Sequence, residues 1–448
     1  MNRLHEWFTN TFVPNQGEAM KFTLPEETFL PVNLSKEKQA ALIEEAETVI
    51  RQTIAANEEF IAGGATFQDP KWKLVRAKEG LRVYRQRRSA NRTTRASTKV
   101  QRPSTPQSQS SSLSFKRRGR TASDMHWAMT TDEEASLPAV TGNSIQDRMR
   151  GLNVSLMVLH GSVEGTLADC MFGTFAPTNQ AWMWRSSHLN DRLDDARILA
   201  TIRGPTRKDP FRFLGIKWFA KEIPAVLSGI VQQRDYLMLE ATGLTRDSRG
   251  ETVGYYLLHS VSLPEVPELS NLGIVRGHLS LCFIDRQNGP GKVEIYCRGF
   301  SDPAGEMIDR VNVAITADSL ISAAGVIDYA YVKKLMWLMK HKGVSKQPNS
   351  GSFPRPTRCE TCDKSFVKFS LTSAGSGIPC HLCRRVVCGK CSVVKKMTVD
   401  VSSTGSVKQC ALRFCLGCLL EAKVKSVWEL ALSGVETSSE CSSTSSSE

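Results

Sequence analysis

The chain contains no apolar run approaching the roughly 18 consecutive residues that a membrane-spanning helix needs, so its sequence predicts no bilayer-crossing segment. The opening stretch, Met1 to Phe12, lacks an apolar core followed by a small-residue cleavage site. The expectation is therefore no secretory signal and a cytosolic protein. Catalytic signatures are missing as well: there is no GxSxG, HExxH, phosphate loop or dinucleotide glycine fingerprint. That points away from enzymatic chemistry. No internal repeat is visible, and aromatics make up only 7% of the chain. Hydrophobic residues nonetheless reach 41% and charged residues 23%, the balance of a globular protein with real cores. At 448 residues, two or three domains are expected.

One absence is local. Between Arg85 and Arg120 there is no Asp or Glu, against eleven Lys or Arg. Residues 353–425 carry thirteen basic and four acidic side chains, so these two segments account for more than the whole net charge of +13. A localised positive field implies an anionic partner, whether acidic lipid, nucleic acid or acidic protein. The cysteines are equally uneven. Cys170, Cys282 and Cys297 are scattered through the central region and Cys441 lies in the tail, whereas the other nine fall between Cys359 and Cys418.

Residues 35–57 predict a first helix, with Ser35 as N-cap and Leu42, Ala46, Val49, Ile50 and Ile54 at helical spacing. A hairpin follows, Trp72 to Val75 and Leu81 to Tyr84 around Glu79-Gly80. The Ser-, Thr-, Gln- and Arg-rich stretch 86–124 cannot bury enough apolar surface to offset its ordering entropy and is expected to be disordered. Strands are predicted at Ser155–His160, Ala181–Ser186, Ala196–Ile202, Asp235–Thr242, Val253–Val261, Gly277–Asp285 and Lys292–Cys297, with a helix around Glu164–Phe172. A long helix is predicted from Ala317 to Met339. The expected organisation is an N-terminal segment to residue 30, an α+β domain over 31–341 with the basic insert, a linker at 342–352, a Cys-rich module at 353–425 and a Ser-rich tail at 426–448.

Eight of the cysteines form four CxxC pairs: Cys359/Cys362, Cys380/Cys383, Cys388/Cys391 and Cys415/Cys418. Eight thiols so paired match two tetrahedral, structural Zn2+ sites, and a four-sulfur shell leaves no position for a reacting water. The short gap between Cys383 and Cys388 favours alternating ligation. Cys359, Cys362, Cys388 and Cys391 would hold one ion, and Cys380, Cys383, Cys415 and Cys418 the other. Cys410 is left over as an alternative to Cys415, which keeps the regular pair with Cys418.

The four-pair arrangement, the short central gap and the run Arg413-Phe414-Cys415 resemble the FYVE zinc-finger family over residues 353–425. That resemblance implies binding to phosphatidylinositol 3-phosphate on endosomal membranes. The family's pocket also uses a WxxD and a basic R(R/K)HHCR around the third cysteine. Here that stretch reads Ser376-Gly377-Ile378-Pro379-Cys380-His381, and no Trp lies between Phe353 and Arg358, so only the Arg413 element is retained. Arg384, Arg385, Lys390, Lys395 and Lys396 remain as candidates for looser contact with an acidic bilayer, worth about 1 kcal/mol per residue near the surface. A RING-type reading is disfavoured by the absence of a His among the middle ligands.

Trp72-Lys73, Glu79 to Tyr84, Val163-Glu164-Gly165-Thr166, Arg234-Asp235-Tyr236 and the closing helix after Asp318 resemble, in this order, the START lipid-transfer family over residues 30–341. The resemblance implies a helix-grip fold, a curved antiparallel sheet closed by a long C-terminal helix, holding one lipid or sterol without chemistry. Phe172, Phe175, Trp182, Trp184, Tyr255, Phe283, Ile321, Ala324 and Ile327 are candidates to line such a cavity, and are equally ordinary core residues. Asp191, Asp194 and Asp195 read as a solvated turn.

The basic insert resembles basophilic-kinase sites at Ser89, Thr121 and Ser123, and also a nuclear-localisation or RNA-binding tract. Phe115 is its one aromatic residue, so base stacking is not supported and nucleic acid is not an expected partner. The sequence thus predicts a lipid-binding or lipid-transfer protein, peripheral on endosomal or other acidic membranes. The alternative is an adaptor whose zinc finger binds a protein partner, such as a small GTPase or a ubiquitin-pathway component.

Overall fold

In the computed structural model the described residues are 23–29, 31–67, 70–87, 154–189, 191, 193–223, 231–342, 356–366, 377–401 and 407–433. The described residues all belong to one compact unit. The basic insert, the expected linker at 342–352 (beyond Lys342) and the Ser-rich end of the tail lie outside the described residues.

Helix α1, Lys36–Ala62, begins at Ser35, whose side chain accepts the Lys38 N–H. Strands β1 (Trp72–Lys78) and β2 (Leu81–Gln86) are joined by Glu79-Gly80, both at positive φ (50° and 84°), a turn whose twist suits a two-residue hairpin. Then come β3 (Met157–Glu164), helices α2 (Leu167–Thr174) and α3 (Asn179–Leu189), β4 (Leu193–Arg203), β5 (Phe213–Lys221), β6 (Arg234–Arg246), β7 (Thr252–Ser260), the short β8 (Val275–Arg276), β9 (His278–Gln287) and β10 (Lys292–Asp302). The sheet order is β1-β2-β3-β10-β9-β7-β6-β5-β4, antiparallel at every step, with β8 pairing β6 in parallel.

The sheet is buried on both faces. Leu42, Ala46, Val49, Ile50 and Ile54 of α1 pack on one side against Ile216, Trp218, Leu239, Leu257 and Ile284. The other side carries Leu81, Leu159, Leu281, Phe283 and Ile295. It is closed by α4 (Asp309–Ile321) and α5 (Val326–Lys342), joined by a 3-10 turn, Ser322–Gly325. This is the helix-grip α+β architecture expected from the sequence. The expected single helix is longer at its start and interrupted once. β-branched residues at Val311, Val313, Ile315 and Thr316 obscure its helical beginning, and Gly325 marks the break.

Two further expectations are corrected. Ala181–Ser186 is helical, within α3, and β5 was not foreseen. The alternation of Trp182 and Trp184 imitates a strand, but Thr178 starts a helix, its Oγ1 accepting the Ala181 N–H at 3.1 Å. The segment Asp309–Lys342 is also long and apolar enough to cross a membrane by length and composition, contrary to the reading of the sequence. Here it roofs the sheet, with Leu320, Ile327, Ala330, Val332, Leu335 and Leu338 buried.

The Cys-rich module adds β11 (Ile378–Pro379), β12 (Val386–Val387), the hairpin β13 (Ser392–Val401) and β14 (Val407–Cys415), and helix α6 (Leu416–Val424). A final helical segment, 427–433, returns Val427, Leu430 and Ala431 to Met171 and Phe211 of the large domain.

Candidate ligand cavity and metal centres

Between the sheet and its roof lies a cavity of about 170 Å3. Alternation decides its wall. On β9, Leu279, Leu281, Phe283 and Asp285 face it, and on β7, Tyr256 and Leu258 do. The roof contributes Ile315, Ser319, Ala323 and Val326, while α3 supplies Arg185, Ser186 and Leu189.

Of the nine candidates from the sequence, Phe283 lines this cavity. Tyr255 lies one residue out of phase and joins the α1 side. Ile321 and Ile327 are core beneath the roof, where Ala324 also packs. Trp182 lies against Phe219 with ring centroids 6.1 Å apart, and Trp184 belongs to the side facing the Cys-rich module. Phe172 and Phe175 pack with the final helical segment, beside the Lys333 ammonium. In doubly buried strands apolar residues occupy both faces, so sequence offers no phase to choose between neighbours such as Tyr255 and Tyr256.

The polar groups were not foreseen, although charges interrupting the apolar runs of β5, β6 and β9 signal them. Glu240, fully buried, takes the Lys217 ammonium at 2.7 Å and faces the Arg185 guanidinium at 3.5 Å. Arg185 also donates to the Thr174 carbonyl at 2.5 Å and the Tyr256 hydroxyl at 3.2 Å. Burial pulls the Lys217 ammonium down to about 8, with Glu240 opposing. Asp191 pairs with Lys221; burial works against its charge, but Lys221 and Arg185 hold its carboxyl below the ordinary range. Asp194 accepts from Gln233 and Asp195 from Arg197, so these acids are half-buried to buried structural partners, not a solvated turn. Asp285 differs from all of them. It accepts the Cys170 thiol at 3.2 Å, and burial pushes its carboxyl up to about 7.

In the Cys-rich module the thiols gather in the alternating sets: Cys359, Cys362, Cys388 and Cys391 in one, Cys380, Cys383, Cys415 and Cys418 in the other. Within each set the sulfurs lie inside 4.8 Å of one another. The thiols are free, and Cys362–Cys388 and Cys383–Cys415 are 3.8 and 3.6 Å apart. Zn–S bonds of about 2.3 Å in a tetrahedron place sulfurs roughly 3.8 Å apart, so the donor set and its spacing fit Zn2+.

The first two pairs are turned by Asp363 and Arg384 at positive φ (57° and 64°). The fourth opens α6, where the Cys415 sulfur accepts the Cys418 N–H at 3.4 Å. Burial disfavours ionisation of Cys359, but N–H groups of Cys388, Cys362 and Thr361 outweigh it and bring the thiol to about 6, while burial and the neighbouring sulfurs push Cys391 of the same set up. Cys410, on β14 opposite Met397, stands outside both sets.

The module is docked on the large domain. Its core is continuous with Tyr329, Val332, Leu335 and Leu338 of α5. Lys395 reaches Asp328 at 2.8 Å, Ser187 and Thr398 share a hydroxyl hydrogen bond at 2.7 Å, and Lys334 donates to the Lys423 carbonyl at 3.3 Å. The Thr398 N–H approaches His188 Nε2 at 3.4 Å while Nδ1 faces the Trp184 carbonyl at 2.8 Å, which assigns a neutral ring with its proton on Nδ1. Of the six basic candidates, Lys395 is thus committed to the roof helix, contrary to the expectation of membrane contact. Arg413, half-buried, donates to the Ser392 hydroxyl at 2.8 Å. Arg384, Arg385, Lys390 and Lys396 are exposed.

No family model matches the chain, and no curated protein does. Solved structures do. Human StAR-related lipid transfer protein 5 matches at 14% identity over 63% of this chain and 97% of its own, with a TM-score of 0.35. Human STARD10 matches at 11% identity over 63% and 82%, with a TM-score of 0.34. The Zhui aromatase/cyclase from Streptomyces sp. R1128 matches at 11% identity over 39% and 93%, with a TM-score of 0.23. Similarity of this degree carries nothing about ligand or activity.

Proposed function

We propose that this protein binds a lipid, without performing chemistry on it, in the cavity beneath α4 and α5. The observation that carries this reading is the cavity itself. An apolar wall built from strand side chains is closed by helices that could have packed down onto the sheet. Two groups of charges beside it are engaged in fixed pairs, Glu240 with Lys217 and Arg185, and Asp191 with Lys221. These orient and support the wall and do not form a nucleophile–base pair. The two thiol clusters each hold a structural Zn2+ ion, and the module so formed is FYVE-like.

Arg384, Arg385, Lys390 and Lys396, exposed on the Cys-rich module, and the half-buried Arg413 support recruitment to acidic, endosomal membrane. A second reading is favoured by Leu416, Leu420 and Val424, which recur every four residues on α6 and stay 36%, 53% and 81% exposed. Such a stripe suits a protein partner, a small GTPase or ubiquitin-pathway component among them.

Flotation with vesicles separates the two. Membrane recruitment predicts co-flotation of the zinc-loaded chain with phosphatidylinositol 3-phosphate vesicles, weakened several-fold by Arg413→Ala. Equal flotation with uncharged vesicles, or none, overturns it. Lipid binding itself is tested by native mass spectrometry of the purified chain.

A further inference from the structure

Resting on the lipid-binding reading, we propose that Asp285 and Cys170 form a polar subsite in the cavity wall that receives a hydroxyl group at the end of an otherwise apolar ligand. Asp285 stands on β9, 3% exposed, on the cavity-facing side of the strand with Leu281 and Phe283 and directly across from Ile295. Its surroundings hold no compensating cation among the described residues. Its hydrogen-bond donor is the Cys170 Sγ–H at 3.2 Å, and the titratable groups that sense its charge are the thiols of Cys170, Cys282 and Cys297. Each of these thiols is kept neutral by burial. Glu240 and Asp191 differ, since each has a lysine or arginine.

A carboxyl group placed so costs stability, because a leucine there would bury as well without desolvating an acid. A weak thiol donor does not compensate for that. The group is explained by a partner that arrives from the cavity.

Complementarity selects the partner. The carboxyl group, protonated in part at neutral pH through burial, offers one donor and one acceptor, which a single hydroxyl satisfies in both directions. An ammonium carries three donors, and apolar Leu281, Phe283 and Ile295 offer none of the further acceptors it needs. A carboxylate or phosphate end would set like charge against Asp285 in a site of low dielectric. The ligand class is therefore an uncharged alcohol with an apolar body.

The test presents the full, zinc-loaded chain with decanol, decane, decylamine and decanoate at about pH 6, where Asp285 keeps its proton, and reads occupancy by native mass spectrometry and competition. Decanol is expected to bind about tenfold or more tightly than each of the others. Asp285→Leu is expected to abolish the preference of decanol over decane while leaving decane binding in place. Asp285→Asn, which keeps a donor and an acceptor, restores most of it, and its thermal melt checks the fold independently. Equal binding of decanol and decane, a preference for decylamine or decanoate, or a preference that survives Asp285→Leu overturns the subsite while leaving lipid binding intact. Binding of none of the four overturns the lipid reading and the subsite with it.

Discussion

A carboxyl group held away from water and cations binds its proton more tightly in the folded chain than in the unfolded one. Burial raises Asp285 from the ordinary aspartate value near 3.8 to about 7. Between those values the folded state holds more protons, so this residue's contribution to stability falls as pH rises from about 4 to about 7 and stays at its least favourable above. Asp285→Asn removes the penalty. The variant is expected to exceed the natural chain in unfolding free energy at pH 8 by up to roughly 4 kcal/mol, the gap closing toward pH 4. Urea unfolding at both pH values checks it, and a gap independent of pH would contradict the assignment. At this scale little was legible in the sequence. The continuous apolar runs around Tyr255-Tyr256 and Leu281-Cys282-Phe283 conceal which residues face which side, because both faces of the sheet are covered. The aspartate within the β9 run was visible, but the absence of a cation beside it depends on residues brought together only by folding.

The elements divide into those whose signal is local and those whose signal is tertiary. Helix α1, the Glu79-Gly80 hairpin and the paired cysteines announce themselves through capping, turn and ligand chemistry within a few residues. Helix α3 does not, since its tryptophans alternate while its helical form rests on the Thr178 cap and on packing between cavity and module. The module's hairpins and α6 enclose a small core, and metal binding worth about 10–16 kcal/mol is expected to supply much of its folding energy. Chelation is therefore expected to release two zinc ions per chain and to unfold residues 356–424. It should also expose α3 and the second half of the roof, α5, because Ser187, His188 and Asp328 lose their partners on β13. Hydrogen exchange reads this directly, with faster exchange in the module, α3 and α5 and unchanged exchange in β6, β7 and β9. Unaltered protection of the module after complete metal removal would contradict it.

Across the whole molecule, the module and the large domain share one continuous hydrophobic core through α5. The sequence suggested two bodies joined by a linker. The long-range contacts of Lys395 with Asp328 and Thr398 with Ser187 have no signature along the chain. One consequence is that α3 touches both the cavity, through Arg185, Ser186 and Leu189, and the Cys-rich module, while α5 meets the cavity at Val326 and the module along Tyr329, Val332, Leu335 and Leu338. On the proposed function, ligand retention and metal loading are expected to act on the same two helices.

The central claim is that an apolar ligand occupies the space beneath the roof while nothing is chemically transformed there. Native mass spectrometry of the full chain, purified from lipid-containing cells without detergent, tests it most directly. The expected species is the chain with two zinc ions and one lipid, the lipid released unaltered on denaturation. A chain carrying its metals but no lipid, and taking up none from vesicles, would contradict the account.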